Sequence, residues 1–395
     1  MKTTTSLELP DFSLVLGGPL FRLFHRAYLS GDGLELLRRR VVVITLFAWV
    51  PLLLLSAIEG GASGGSIRIP FLYDIEAHIR FLVALPTLII AELVVHRRVS
   101  PLIGRFLERR LIAPADLPAF NAAVKSALRV RNSIVAEVAL LILVYTVGLW
   151  VWSTQLALGS ATWYAQPNQT GFHLTLSGYW YAFVSIPFFQ FILLRWYMRL
   201  LLWFRLLWHI SRLNLRLTGA HPDRAGGIGF LGKSSFAFGP ILFAQGALLS
   251  GLIASRVLYE GQSLTSFKIE AGGLIAIMVL FILGPLTVFT PQMERASRKS
   301  TAEYGLLANR YVVGFEEKWI QNGEPEMENM LGSGDFQSLT DLGTSYTAVS
   351  EMRIVPFGIN DITRLAAVTA APLIPLMLTT FSLEEVIGRL LKTLL

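Results

Sequence analysis

The chain has 395 residues, 53% of them hydrophobic and only 15% charged, with a formal net charge of +7 and no cysteine. Soluble domains carry roughly 25% charged residues, so this is neither an ordinary soluble domain nor a disordered chain, and the missing thiols exclude disulfides, thiolate metal sites and cysteine nucleophiles. In so apolar a chain the positive charge points to anionic lipid headgroups and to topology, not to nucleic acid.

Residues 1–40 form an expected cytoplasmic amphipathic segment, with Leu20, Phe21 and Phe24 beside Arg22 and Arg26. It is too long for the basic region of a signal peptide, so the apolar run after it reads as an uncleaved anchor. A membrane-crossing helix needs about 20 mostly apolar residues. Seven segments are predicted to supply them: 41–58, 81–95, 134–156, 179–202, 238–258, 271–290 and 365–381. The seventh carries Pro372 and Pro375 and is either a span or a re-entrant hairpin. Of the 34 Lys and Arg, 28 fall on the side of the N-terminus and 6 on the other. Basic residues stay inside, so the N-terminus is expected in the cytoplasm.

Several helices are predicted to outrun the bilayer. Asp116 is placed to cap one that meets no breaker from Asn121 to Trp152. The fourth reads as helical from Ser185 to Thr218 apart from Pro187, and the sixth continues past a kink at Pro291 into 294–321. Together they suggest a helical cytoplasmic collar. Pro101–Leu111 resembles a basic interfacial helix. Residues 311–361 hold nine acidic and two basic side chains. Phe336, Leu339, Leu342, Tyr346, Val349 and Met352 recur there at helical spacing, predicting a short amphipathic helix against the collar. The expected architecture is thus an all-α polytopic transmembrane helical bundle of about seven spans. Its parts are 1–40, a bundle over 41–293, an acidic cytoplasmic segment over 294–360, and 361–395 with the seventh segment and a C-terminal amphipathic helix.

Three motifs suggest chemistry that their surroundings do not support. Gly227–Ser234 matches the pattern G-x-x-x-x-G-K-[ST], but a phosphate loop needs a strand before it and a helix after it. A basic helix precedes this one and a membrane span follows. His221–Pro222–Asp223 is the tripeptide of chaperone-recruiting J-domains, without the soluble helices of that module. Gly61–Ala62–Ser63–Gly64 resembles the rhomboid serine motif, with no histidine in a span at its depth. Gly219, His221, Pro222, Asp223, Gly226 and Gly227 are read instead as a structural turn: Gly219 ends the long helix and Asp223 caps backbone N–H groups. The six histidines show no metal-binding spacing.

Charges inside membrane segments are costly and normally face partners or water. Glu92, Glu137, Arg195 and Arg199 fall at one depth and form the candidate polar cluster. Arg205, Arg212 and Arg216 continue the arginine stripe and, with Lys233, are expected at lipid headgroups. Arg256 with Glu260 and Glu270 suggests a second cluster on the outer side. The first cluster is either a set of ion pairs or a polar vestibule.

The run LNLRLTGAHPDRAGGIGFL over Leu213–Leu231, continuing through Phe243–Gly246 and Pro285, resembles an uncharacterised family of bacterial polytopic inner-membrane proteins. The resemblance spans the second half of the chain and implies an inner-membrane location, with no activity. The expected function is a channel or transporter component for a small anionic solute, as a single chain or a homo-oligomer. The alternatives are a scaffold or sensor that docks a partner through 311–361, and a membrane-embedded enzyme acting on lipid. No cofactor, metal, nucleotide or nucleic acid is expected.

Overall fold

The computed structural model describes residues 12–28, 36–64, 67–155, 162–168, 171–321 and 332–377. The described chain is all-α apart from one hairpin. In order it forms α1 (Pro19–Arg26), α2 (Leu37–Ile58), α3 (Ile75–Glu108), α4 (Leu117–Arg131), α5 (Ile134–Val151), the antiparallel strands β1 (Ala165–Asn168) and β2 (Gly171–Leu174), α6 (Leu176–Ile210), α7 (Phe230–Glu260), α8 (Leu264–Gln321), α9 (Gly334–Ser350) and α10 (Ile359–Ala370). A 3₁₀ turn and a short helical turn extend α10 to Met377. Six helices, α2, α3, α5, α6, α7 and α8, are long and apolar enough to cross a membrane, which makes this a multi-pass membrane protein.

Local chemistry sets the ends. Asp74 accepts the Ala77 N–H at 3.0 Å and starts α3, Thr175 accepts the Gly178 N–H at 3.0 Å and starts α6, and Ser133 accepts from Ala136 at the start of α5. Gly261, at φ 69°, closes α7 in the left-handed conformation that glycine adopts without strain.

Packing is uneven. More than half of the apolar windows of α6 and α7 is buried, against only 11% for α5. The core therefore lies between α3, α6 and α7, while α2, α5 and α8 present most of their apolar surface outward, as lipid-facing helices do. Phe81, Leu85 and Leu88 of α3 meet Phe189 and Ile192 of α6 in the middle of that core.

The structure departs from several sequence expectations. The helix foreseen from Asn121 to Trp152 is two, broken at Asn132–Ser133, and the Asp116 carboxylate accepts from Asn214 N–H instead of capping. The fourth helix stops at Ile210, so Gly219 does not end it; residues after it turn aside to form a bridge between Leu215 and Ile112. Pro101–Leu111 is no separate interfacial helix. Most of it continues α3, with Leu102, Ile103 and Phe106 buried inside the protein and the Phe106 ring against those of Phe120 and Phe230. The sixth helix does continue past Pro291 as expected: α8 passes from Leu264 to Gln321 through a 3₁₀ segment at Gly284–Phe289. Pro291 sits in the first turn of the following α-helical stretch, where its missing N–H costs nothing.

α9 folds back on the distal half of α8. Phe336 packs edge-on against Phe315 and beside Trp319, and Lys318 reaches the Asp335 carboxylate at 2.7 Å. The expected C-terminal amphipathic helix lies outside the described residues.

Candidate functional site

At one end of the bundle α2, α3, α5 and α6 bring five charged side chains together. Glu92 of α3 is the hub: its carboxylate receives Arg40 at 2.5 Å, Arg199 at 2.9 Å and Arg195 at 3.7 Å. Arg195 also faces Glu137 at 3.3 Å. The structure thus joins all four residues of the candidate cluster and adds Arg40. All five are between 1% and 8% exposed. With every group ionised the set carries three positive and two negative charges. Arg199 also lies 4.8 Å above the Trp196 ring, and the Trp196 indole N–H donates to the Leu88 carbonyl at 2.9 Å.

The N-terminal segment covers this cluster. The Leu20 N–H donates to Glu137 at 2.8 Å, and Gly17 O lies 3.5 Å from Arg195 Nη2. A Cβ on Gly18, at φ 90°, would sit 3.2 Å from Glu137 Oε1, so glycine permits both the backbone angle and the close approach. Further along, Arg131 donates to Ser13 O, Ser100 to Phe12 O, and Phe12 packs against Trp203. Beneath this cover is a cavity of about 10 Å³ lined by Leu20, Phe24, Arg40, Ile44, Leu88, Glu92, Arg195 and Arg199 among others. Nε and Nη1 of Arg40 and Nη2 of Arg199 make no hydrogen bond to the protein.

The remaining arginines of the stripe lie apart from the cluster. Arg205, Arg212, Arg216 and Lys233 are exposed; Arg205 reaches Ser126 Oγ at 3.2 Å and Arg212 lies over the Trp208 ring. The expected trio of Arg256, Glu260 and Glu270 is also corrected. Glu260 accepts from the Gln262 amide at 2.9 Å, and among the described residues no ion pair joins Arg256, Glu260 and Glu270. The polar layer at that opposite end is built on Asp74, Glu76, Arg80 and Tyr181. Asp74 accepts from the Trp163 indole at 2.8 Å, and Arg80 donates to the Tyr181 hydroxyl. Between the two layers Phe81, Leu85, Leu88 and Phe189 are buried and apolar.

The glycine-rich turn is organised by Asp223. Its carboxylate accepts N–H groups from Ala225 at 2.9 Å, Gly227 at 3.1 Å and Gly229 at 3.0 Å. Partial burial pushes the Asp223 carboxyl up, but these three donors and the nearby His221 hold it below the usual value. Arg353 donates to its carbonyl, and Arg109 donates to Gly227 O while lying over Phe230. Pro222 is exposed. Gly226 and Gly227 have φ of 64° and 97°, and a Cβ on Gly219 would stand 2.4 Å from Ser300 of α8. The helix that follows Gly227 is α7, which is long and apolar enough to cross a membrane, and the face of Gly232 is filled by the Pro356 carbonyl, which a Cβ would meet at 2.3 Å. The apparent phosphate loop is therefore a packing turn that joins the segment after α6 to α3, α8 and the start of α10.

Sequence reasoning missed Arg40 and the Gly17–Gly18–Pro19 cover. The adjacent glycines before a proline-led helix were the available signal. Among the described residues no group of three or more His, Cys, Asp or Glu could hold a metal. No family model, no curated protein and no solved structure matches this chain, and the resemblance carried by Leu213–Leu231 supplies no activity.

Proposed function

We propose that this protein is an inner-membrane channel or transporter component for a small anionic solute, closed in the conformation described. The observation that carries the reading is the buried five-residue cluster. Three arginines and two glutamates leave an excess positive charge at the basic end of the bundle, where an uncompensated charge is expensive. The apolar layer of Phe81, Leu85, Leu88 and Phe189 and the cover of residues 12–20 are the parts that would move for passage.

The proposed topology places the N-terminus and the cluster at the cytoplasmic side, with seven crossings. α10 supports the seventh. Its approach begins where Phe357 packs on Gly232, next to the cluster end. Leu376, at its far end, packs with Phe267, Ile75 and Leu264 at the other end of the bundle. The collar of this reading is the α8–α9 hairpin together with α4 and the Asp223 turn.

Reconstitution into anion-loaded liposomes tests the function. Efflux of the anion that falls with Arg199→Gln and rises with Glu137→Gln supports it; liposomes no leakier than protein-free ones refute it.

A second reading, a scaffold or sensor, draws on the hairpin. Leu306, Val313 and Ile320 recur every seven residues along α8 and are exposed, where a partner helix could seat. A stoichiometric partner lost on deleting 323–352 would favour it.

A further inference from the structure

We infer that the cavity between Arg40 and Arg199 is a binding site for one monatomic halide ion. The inference rests on the anion-handling reading above and makes its ligand specific.

Three observations converge on it. First, the site has donors to spare. Arg40 and Arg199 are almost fully buried, line the cavity, and hold three guanidinium nitrogens without a hydrogen bond to the protein. Buried donors of a charged group are normally all paired. Second, the charge is unbalanced. Glu92 answers three arginines, Glu137 is shared between Arg195 and the Leu20 N–H, and Arg131 adds a further positive charge at the rim. One monovalent anion makes the five-residue set neutral, which a water does not. Third, the size is restrictive. About 10 Å³ holds about one water-sized particle. Fluoride is of that size and chloride somewhat larger, whereas sulfate, phosphate and carboxylates are excluded. The walls of Phe24, Ile44, Leu88, Ile89 and Ile192 supply apolar surface; Glu92 also lines the cavity, its carboxylate engaged by Arg40, Arg195 and Arg199, and Arg40 lies over the Phe24 ring. The Leu20 main chain closes the site on the side of the cover, so exchange of the ion requires residues 17–24 to lift.

The test is equilibrium binding of fluoride to the full-length protein in detergent, followed with a fluoride-selective electrode, with chloride and sulfate as competitors at constant ionic strength. The expected result is saturable binding of about one ion per chain, displaced weakly by the larger chloride and not by sulfate. Arg40→Lys keeps a positive charge for Glu92 but removes Nε and Nη1, and should weaken binding roughly ten- to a hundredfold. Ile44→Phe fills the cavity without touching a charge and should abolish binding, which keeps the test open if the arginine variant fails to fold. Absence of saturable binding, or binding indifferent to both variants, overturns the inference. Flux measured on the same variants separates it from the parent reading. Binding without flux leaves the site and removes the transporter, while flux untouched by Ile44→Phe leaves the transporter and removes the site.

Discussion

Arg40, the last of three consecutive arginines, turns into the bundle and meets Glu92 of α3 at 2.5 Å, while Arg39 beside it faces solvent. The contact ties the start of α2 to the middle of α3. It also makes Glu92 the only carboxylate within 4 Å of Arg40 or Arg199 among the described residues.

Glu92→Gln should accordingly be the most damaging single change in the cluster. Removing one partner of a buried ion pair costs about 3–5 kcal/mol, much of it from the stranded charge. The melting temperature in detergent should fall, and Arg40→Gln in the same chain should recover part of the loss. Additive losses in the double variant would mean that the two side chains do not share their energy.

Asp223 gives a pH signature. Its folded carboxyl titrates below the unfolded value, so the stability it contributes is complete above the unfolded value of about 3.9 and is lost as the pH falls through the folded one. Denaturant unfolding followed below about pH 4 should show wild type losing stability faster than Asp223→Asn. At neutral pH that variant should be weaker by about 1–3 kcal/mol, since an amide cannot accept as the carboxylate does. Parallel acid limbs for the two proteins would contradict this.

Close backbone packing predicts a contrast between two glycines. A Cβ on Gly246 of α7 would lie 2.0 Å from Thr369 O of α10, whereas one on Gly272 of α8 meets nothing within 4 Å. Gly246→Ala should loosen α10, seen as faster hydrogen exchange over 359–377. Gly272→Ala should leave exchange unchanged or slow it slightly, alanine being the better helix former.

The α8–α9 hairpin should resist salt. Its polar contacts, Lys318 with Asp335 and Arg224 with Glu351, are solvent-accessible and screened, but Phe315, Trp319 and Phe336 form its apolar lock. Phe336→Ala should raise exchange across 334–350 far more than 1 M salt does. The opposite ranking would make the hairpin electrostatic.

Topology is testable because the chain has no cysteine. Single cysteines at Ser63 and Ser263 should react with an impermeant thiol reagent added to intact cells, and those at Ala220 and Ser338 only after permeabilisation. Labelling of Ser338 from outside would invert the orientation.

Depth was legible in the sequence, because residue counts along a helix of fixed rise place Glu92, Glu137, Arg195 and Arg199 at one level. Partnership was less so. Arg38, Arg39 and Arg40 look alike in composition, and only the phase of α2 after Leu37 turns the third one inward. The end of α6 was illegible for a different reason. Ser211–Thr218 contains neither glycine nor proline. The helix stops because its neighbours capture the backbone: Gln292 donates to the carbonyls of Ser211 and Leu213, and the Arg216 N–H goes to Leu111 O. Tertiary partners overrode local propensity there. The cover over the cluster has no periodicity to detect, since it works through main-chain groups of Gly17 and Leu20.

α8 runs from Leu264 to Gln321, with a 3₁₀ segment at Gly284–Phe289 between its apolar half and its distal half. Its stretch from Thr290 to the tip is about 48 Å long at 1.5 Å per residue. A tilt of about 10° about Ser300 leaves an arm of about 32 Å and swings that tip through roughly 5–6 Å by the same geometry. On the sensor reading proposed above, the hairpin would act as a lever pivoting where Gly219 packs against Ser300, turning a small change of helix tilt into a displacement a partner could register.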